Sequence, residues 1–172
     1  AVLLLDFSKG ALAVIFATLL FRTTYLWWDG SLFLLTTGAQ VLAAYAAVAG
    51  HIWPVFTKFK GGRGVATFFG GLTALFPPAA LFGGEVLVLG AGLTKYMSLG
   101  SIAGVVGTYA IMAPLTILNG FPIEYLVYAL IGTIAIVVMH RDNIVRLMAG
   151  KERKLGEKVE TIDSPPSGEE TV

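Results

Sequence analysis

The sequence predicts an all-α, polytopic transmembrane helix bundle of about six helices, and three observations carry that prediction. Only 13% of the 172 residues are charged and 56% are hydrophobic, against roughly 25% charged in a soluble domain, so polar side chains are too few to cover a water-facing surface. Apolar runs of roughly 16–20 residues recur, the length a helix needs to cross a ~30 Å hydrocarbon layer. The cations fall almost wholly on one side of those runs, as they do in proteins oriented by their basic loops.

Taken in order, the runs are Ala1–Phe21, Ser31–Gly50, Val65–Phe76, Pro78–Thr94, Ser98–Leu118 and Pro122–Met139. The third is short and glycine-rich, which suits a tilted or partly re-entrant helix. Pro77 and Pro78 set a tight turn after it, and Asn119, Gly120, Phe121 and Pro122 set another between the fifth and sixth runs. Residues 1–150 read as one transmembrane domain, and residues 151–172 as a charged tail whose Ser-Pro-Pro-Ser composition predicts disorder. The chain starts inside an apolar run without a methionine, which predicts an incomplete N-terminus.

If each run crosses once, Lys58, Lys60, Arg63, Lys95, Arg141, Arg146 and the tail share one side, with Lys9 toward it. Arg22 stands alone on the other, where Trp27 and Trp28 would form an interfacial belt. The basic side is predicted to be cytoplasmic. With no cysteine, disulfides and thiolate metal sites are excluded.

Polar chemistry concentrates on that basic side. In Gly50–Thr67 three glycines, three cations and a histidine lie between two apolar runs. Gly61, Gly62 and Gly64 free the backbone to turn its N–H groups, Lys58, Lys60 and Arg63 add positive charge, and Thr67 opens a helix whose dipole favours an anion. A phosphate would use all of these. The loop is not a Walker A sequence, and the other glycines, Gly70, Gly71, Gly83, Gly84, Gly90 and Gly92, suit close helix packing.

His51 and His140 each end an apolar run on the same side, without the spacing of a metal site. On a helix, His140, Asn143 and Leu147 share a face, and Asn143 can donate to a phosphate or hydroxyl. Arg141 and Arg146 serve equally as anchors at the membrane surface. Asp6 and Lys9 are three apart and suit a neutralising pair. Ser98 and Ser101 can cap the fifth helix or reach a ligand. Glu85, midway along the fourth run, suits a protonated or interhelical hydrogen-bonded role.

These residues resemble a known family. Gly50-His51, Pro54, Phe56, and Phe59 through Thr67 look like the second signature motif of the bacterial acyl-phosphate:glycerol-3-phosphate acyltransferases, the PlsY family. His140 through Ile144, Arg146, Leu147, Gly150 and Glu152 look like the third, and Asp6, Lys9, Gly10, Tyr96, Ser98 and Ser101 match in order and spacing. The resemblance implies a seven-helix bundle when complete, with a cytoplasmic active site. It implies transfer of a fatty acyl group from acyl phosphate to the sn-1 hydroxyl of glycerol 3-phosphate, giving lysophosphatidic acid, without acyl-CoA or acyl carrier protein. It calls for no cofactor, no metal and no nucleic acid; the partners are the two phosphate-bearing substrates and the bilayer.

On this reading Lys60, Gly61, Gly62, Arg63 and Gly64 cradle a substrate phosphate, and His51, His140 and Asn143 orient a phosphate or hydroxyl, with His140 or the departing phosphate as base. The family's first motif, which supplies a serine, an asparagine and an arginine, would precede Ala1. Arg63 stands where the family usually has lysine, and Met139 where an arginine often precedes the histidine. The competing expectation is a non-catalytic membrane subunit or transporter derived from the same fold, though the related halves of a transporter are not evident.

Overall fold

A computed structural model describes residues 2–25 and 33–157. The ordered elements among them are helical: α1 (Val2–Tyr25), α2 (Phe33–Ile52), α3 (Val65–Leu75), α4 (Pro77–Thr94), α5 (Met97–Asn119), α6 (Ile123–Met139) and α7 (Arg141–Met148), with a single 3-10 turn at Val55–Thr57. Each of the six apolar runs forms a helix, with ends displaced by a few residues. Trp27 and Trp28, the side chain of Arg22, and the tail beyond residue 157 lie outside the described residues.

Four helices, α1, α2, α4 and α5, are long and apolar enough to cross a membrane, and α6 with α7 makes a fifth span if the pair, bent by 59°, counts as one. The first 18 to 20 residues of α1 fit a span whose side chains are mostly exposed, as lipid-facing helices are; Leu3 and Leu4 are both exposed. With 11 residues, α3 is too short to cross alone, since at about 1.5 Å per residue it reaches only half the hydrocarbon depth. It is instead the buried element: Thr67, Phe68, Phe69, Gly70, Gly71, Leu72 and Leu75 are all buried. The seventh helix is therefore not a further span. It is a short amphipathic helix after the last crossing, with Asn143 buried and Arg141 exposed.

Close backbone approach explains how α3 is held. A side chain at Gly70 would collide with the Phe7 carbonyl of α1, and one at Gly10 would collide with the Thr67 carbonyl of α3. Small residues at helix crossings replace the hydrophobic drive that lipid removes. Gly71, Gly83 and Gly90 also meet neighbouring helices, as expected, whereas Gly84 and Gly92 face open space. The core centres on Phe68 and Tyr128, whose rings stack at 5.1 Å while the Tyr128 hydroxyl donates to the Phe68 carbonyl at 3.0 Å. Deeper polar groups are paired across helices: Gln40 Nε2 donates to Thr18 Oγ1 at 2.8 Å, and Tyr125 donates to Gln40 Oε1 at 2.9 Å. Unpaired, such groups would be costly in lipid.

The turn between α3 and α4 is as tight as expected: α3 ends at Leu75, Phe76 links, and Pro77 opens α4, where its missing N–H costs nothing. One end of the bundle collects the loop before α3, the α4–α5 turn, and the residues following α6. There the Leu155 N–H donates to the Lys95 carbonyl at 2.7 Å, so the start of the tail lies against the bundle.

Candidate active site

At that end a polar cavity of about 400 Å³ is lined by Arg63, Met97, Ser98, Ser101, His140, Asn143, Arg146, Glu152 and Arg153. Its floor comes from the junction of α6 and α7. His140 caps α6, its backbone bending where the chain turns, and is only 2% exposed. Its Nδ1 lies 2.7 Å from the Ile136 carbonyl. A carbonyl can only accept, so Nδ1 carries the proton and Nε2 keeps its lone pair. Burial pushes the ring's pKa below 6.5; the Ile136 bond opposes that shift and the nearby Arg63 charge adds to it. The imidazole is thus held neutral with one nitrogen free to accept a proton.

One turn on, Asn143 Nδ2 donates to Glu152 Oε1 at 2.6 Å. Ser98 Oγ donates to the same oxygen at 2.6 Å, and Arg146 Nε donates to Oε2 at 2.8 Å. Burial raises the Glu152 pKa, but these three donors outweigh it and hold the carboxyl below its usual range. The Asn143 amide thus donates to Glu152, where the sequence pointed to a ligand. Asn143 Oδ1 is buried with no hydrogen-bond partner among the described residues and remains an acceptor. Ser98 and Ser101 do not cap α5: Ser98 serves Glu152, and Ser101 donates to the Met97 carbonyl at 2.9 Å. Arg146, read as a surface anchor, is tied into the site, while Arg141 is exposed beside Asp142.

A second cavity of about 1150 Å³ opens beside the first. It is an apolar groove between α1, α3 and α4, walled by Leu3, Phe7, Phe69, Ala80, Leu81, Leu87 and Val88 among others. Arg63, Met97, Ser101 and His140 line both cavities. Glu85 lies exposed on the groove and makes no hydrogen bond among the described residues, so the expected interhelical bond is not formed.

The structure therefore brings Arg63, His140 and Asn143 together at one cavity. It places the other sequence-selected residues differently. Lys60, Gly61 and Gly62 line neither cavity, and Gly64 lines the groove. The Gly62 N–H donates to the His51 carbonyl at 3.2 Å, and side chains at Gly61 or Gly62 would collide with that carbonyl or with the His51 ring. These glycines are needed for the loop to close over His51. Gly64, at φ +82°, supplies a left-handed residue from which α3 starts. His51 lines the groove rather than the polar cavity, and Asp6 lies 3.4 Å from its Nδ1. Asp6 and Lys9 form the expected pair at 2.8 Å.

Glu152 was visible in the sequence only as a motif letter. An acid among Lys151, Arg153 and Lys154 carries no local mark of turning inward, because its direction is set by the chain reversal at Gly150, where φ is +67°.

The glycerol-3-phosphate acyltransferase family profile matches residues 1–150. A relative named glycerol-3-phosphate acyltransferase 3, from Dehalococcoides mccartyi (strain CBDB1), is 64% identical over 154 residues, covering 90% of this chain and 71% of the relative. A glycerol-3-phosphate acyltransferase of Halalkalibacterium halodurans is 39% identical over 160 residues, covering 93% and 72%. The crystal structure of PlsY (YgiH), an integral membrane glycerol 3-phosphate acyltransferase, in its glycerol 3-phosphate form is similar with a TM-score of 0.72 at 31% identity, covering 90% of this chain and 70% of that one. Its lysophosphatidic acid form gives 0.71 at 33% identity, covering 90% and 71%. With two motif regions meeting at one cavity in the same helical frame, this chain belongs to the glycerol-3-phosphate acyltransferase family, the PlsY family of integral membrane proteins.

Proposed function

We propose that this protein transfers a fatty acyl group from acyl phosphate to the sn-1 hydroxyl of glycerol 3-phosphate in phospholipid synthesis, releasing lysophosphatidic acid and phosphate. The observation that carries the reading is the junction of the two cavities. A polar chamber with Arg63 and Arg146 meets an apolar groove at Arg63, Ser101 and His140. A reaction joining a phosphorylated alcohol to an acyl chain needs both, with the reacting atoms where they meet.

The acyl chain lies in the groove and glycerol 3-phosphate in the chamber. Acyl phosphate is already an activated anhydride, so no acyl-enzyme is required. The hydroxyl oxygen attacks the acyl carbon, the bond from that carbon to the phosphate oxygen breaks, and the hydroxyl proton passes to His140 Nε2. The proton then leaves with phosphate. Asn143 Oδ1 accepts a second substrate hydroxyl, which satisfies its orphaned acceptor. Arg63 and Arg146 neutralise phosphate charge as it leaves.

The site and the C-terminal segment lie on the cytoplasmic side of the bacterial inner membrane, in keeping with the basic residues gathered at that end. Single-cysteine labelling from either side suits a chain with no native cysteine; labelling of position 60 or 95 from outside would reverse this orientation.

The decisive experiment offers acyl phosphate, acyl-CoA and acyl carrier protein separately to protein expressed from its complete gene and purified in lipid, with lysophosphatidic acid as the readout. Turnover with acyl phosphate alone is expected. Preference for a thioester would overturn the donor, and no turnover with any donor would favour a non-catalytic subunit.

A further inference from the structure

We infer that Asp6 is a positioning residue, acting through His51 to fix the glycine loop that presents Arg63 to the junction of the two cavities. The inference rests on the proposed function above and adds a residue from α1 to that site.

The argument starts from where the charges sit. Lys9 is 59% exposed in its side chain, so water or lipid headgroups can solvate it, whereas the Asp6 side chain is only 15% exposed. Neutralising Lys9 does not require burying the acid. The Asp6 Oδ1 oxygen faces a second partner, His51 Nδ1 at 3.4 Å, and the His51 side chain is itself 14% exposed. A carboxylate facing a ring nitrogen sets which nitrogen carries the proton and limits ring rotation.

The other side of that ring faces the loop. A Cβ at Gly62 would meet Nε2, Cε1 and Cδ2 of His51, so the ring is seated directly against Gly62. The main chain grips from the opposite direction: the His51 carbonyl accepts the Gly62 N–H at 3.2 Å and packs against Gly61. His51 is thus held between Asp6 and two consecutive loop residues, and the next residue is Arg63, which lines both cavities. If the ring rotates, it pushes on Gly62 and moves Arg63. A shift of about 1 Å in a group that binds charge can cost ~100-fold.

The test is calorimetric binding of glycerol 3-phosphate, and separately of inorganic phosphate, to the full chain in lipid. Asp6→Ala is expected to weaken glycerol 3-phosphate binding about tenfold. Asp6→Glu should recover most of it, and Lys9→Met should leave it within about twofold. Because Asp6 acts through His51, adding Asp6→Ala to His51→Ala should change the constant by less than about twofold. Melting temperature is recorded alongside. A lower melting temperature with unchanged binding in Asp6→Ala would make the residue merely structural and overturn the inference. So would an undiminished Asp6→Ala penalty in the His51→Ala background, or a wild-type protein that binds neither ligand. If Asp6→Ala does not fold, Asp6→Asn is used in the same cycle. Wild-type turnover tests the proposed reaction independently, since the binding pattern does not depend on the donor.

Discussion

The two motif regions, residues 51–64 and 140–152, each carry one histidine and three cations and are opposite in construction. The first has more glycine and sits largely exposed, Lys58, Phe59, Lys60, Gly61 and Arg63 included. Several of its backbone N–H groups, those of Thr57, Phe59, Lys60 and Gly62, donate within the loop or to His51. The second is exposed along much of its length but buries its key polar groups, with His140 and Asn143 at 2% and 4% exposure and a carboxylate held by three donors. Positive charge with glycine marks a loop that can bend, but the buried, partly unsatisfied groups are where the proposed function has its ligand read. The first region delivers one side chain, Arg63; the second builds the chamber that receives it.

That contrast is best broken at His140. His140→Ala should lower turnover by about 10²–10⁴-fold while the protein stays folded in the membrane, as for loss of a general base. Lysophosphatidic acid formation measures this, and a rate within a few-fold of wild type would move the chemistry elsewhere. The same residue sets the acid limb of the pH profile. Its pKa lies below 6.5, so it is neutral at pH 7 and activity falls only as pH drops through that lowered value. An acid limb centred above 6.5 would exclude it as the base.

Glu152→Ala comes next. It frees Ser98, Asn143 and Arg146 together, and the two buried donors, Ser98 and Asn143, each cost about 1–3 kcal/mol when left unmatched, whereas water can solvate the exposed Arg146. Turnover should fall at least tenfold, with a lower melting temperature. Because the native carboxyl is held below its usual pKa, the stability it contributes is complete above that range and is lost as pH falls through the lowered value.

A smaller effect is expected in the groove. Gly84 lines it and faces open space, so Gly84→Phe should fold and narrow the channel. The ratio of stearoyl to decanoyl phosphate turnover should drop by about three- to tenfold. An unchanged ratio would place the acyl chain outside this groove. The smallest effect belongs to the exposed arm of the comparison: Arg63→Lys keeps the charge and should cost under about threefold in turnover, whereas Arg63→Ala should cost about tenfold or more. Equal losses in both would mean that the guanidinium geometry, not its charge, is used.

Much of the frame was legible because lipid imposes it. Helix existence follows from apolar length, and the turns from Pro77 and Gly120. The convergence of His140 with Asn143 follows from helical spacing once α7 begins. What stayed hidden depends on tertiary closure. No local pattern says that the Gly62 N–H turns back to His51, since a glycine free to bend toward an anion is equally free to bend toward a carbonyl. Nor does spacing show that Asn143 gives its amide to Glu152, because that contact needs the chain to reverse at Gly150, where φ is +67°. Composition places a division at residue 150, yet Glu152 and Arg153, just beyond it, both line the chamber.

The shortness of α3 also sets an order of assembly. A segment of 11 residues is too brief to stay in a bilayer by its own partitioning, so it cannot be inserted and then wait as an independent span. It depends on packing instead: on α4, joined to it through Phe76, and on the backbone of α1, which Gly70 meets closely. At ~5–20 residues per second, synthesis must run on past Thr94 before that pair can settle. The part of the chain that carries Arg63 to its place therefore waits on an element made after it, α4, as well as on one made before it, α1.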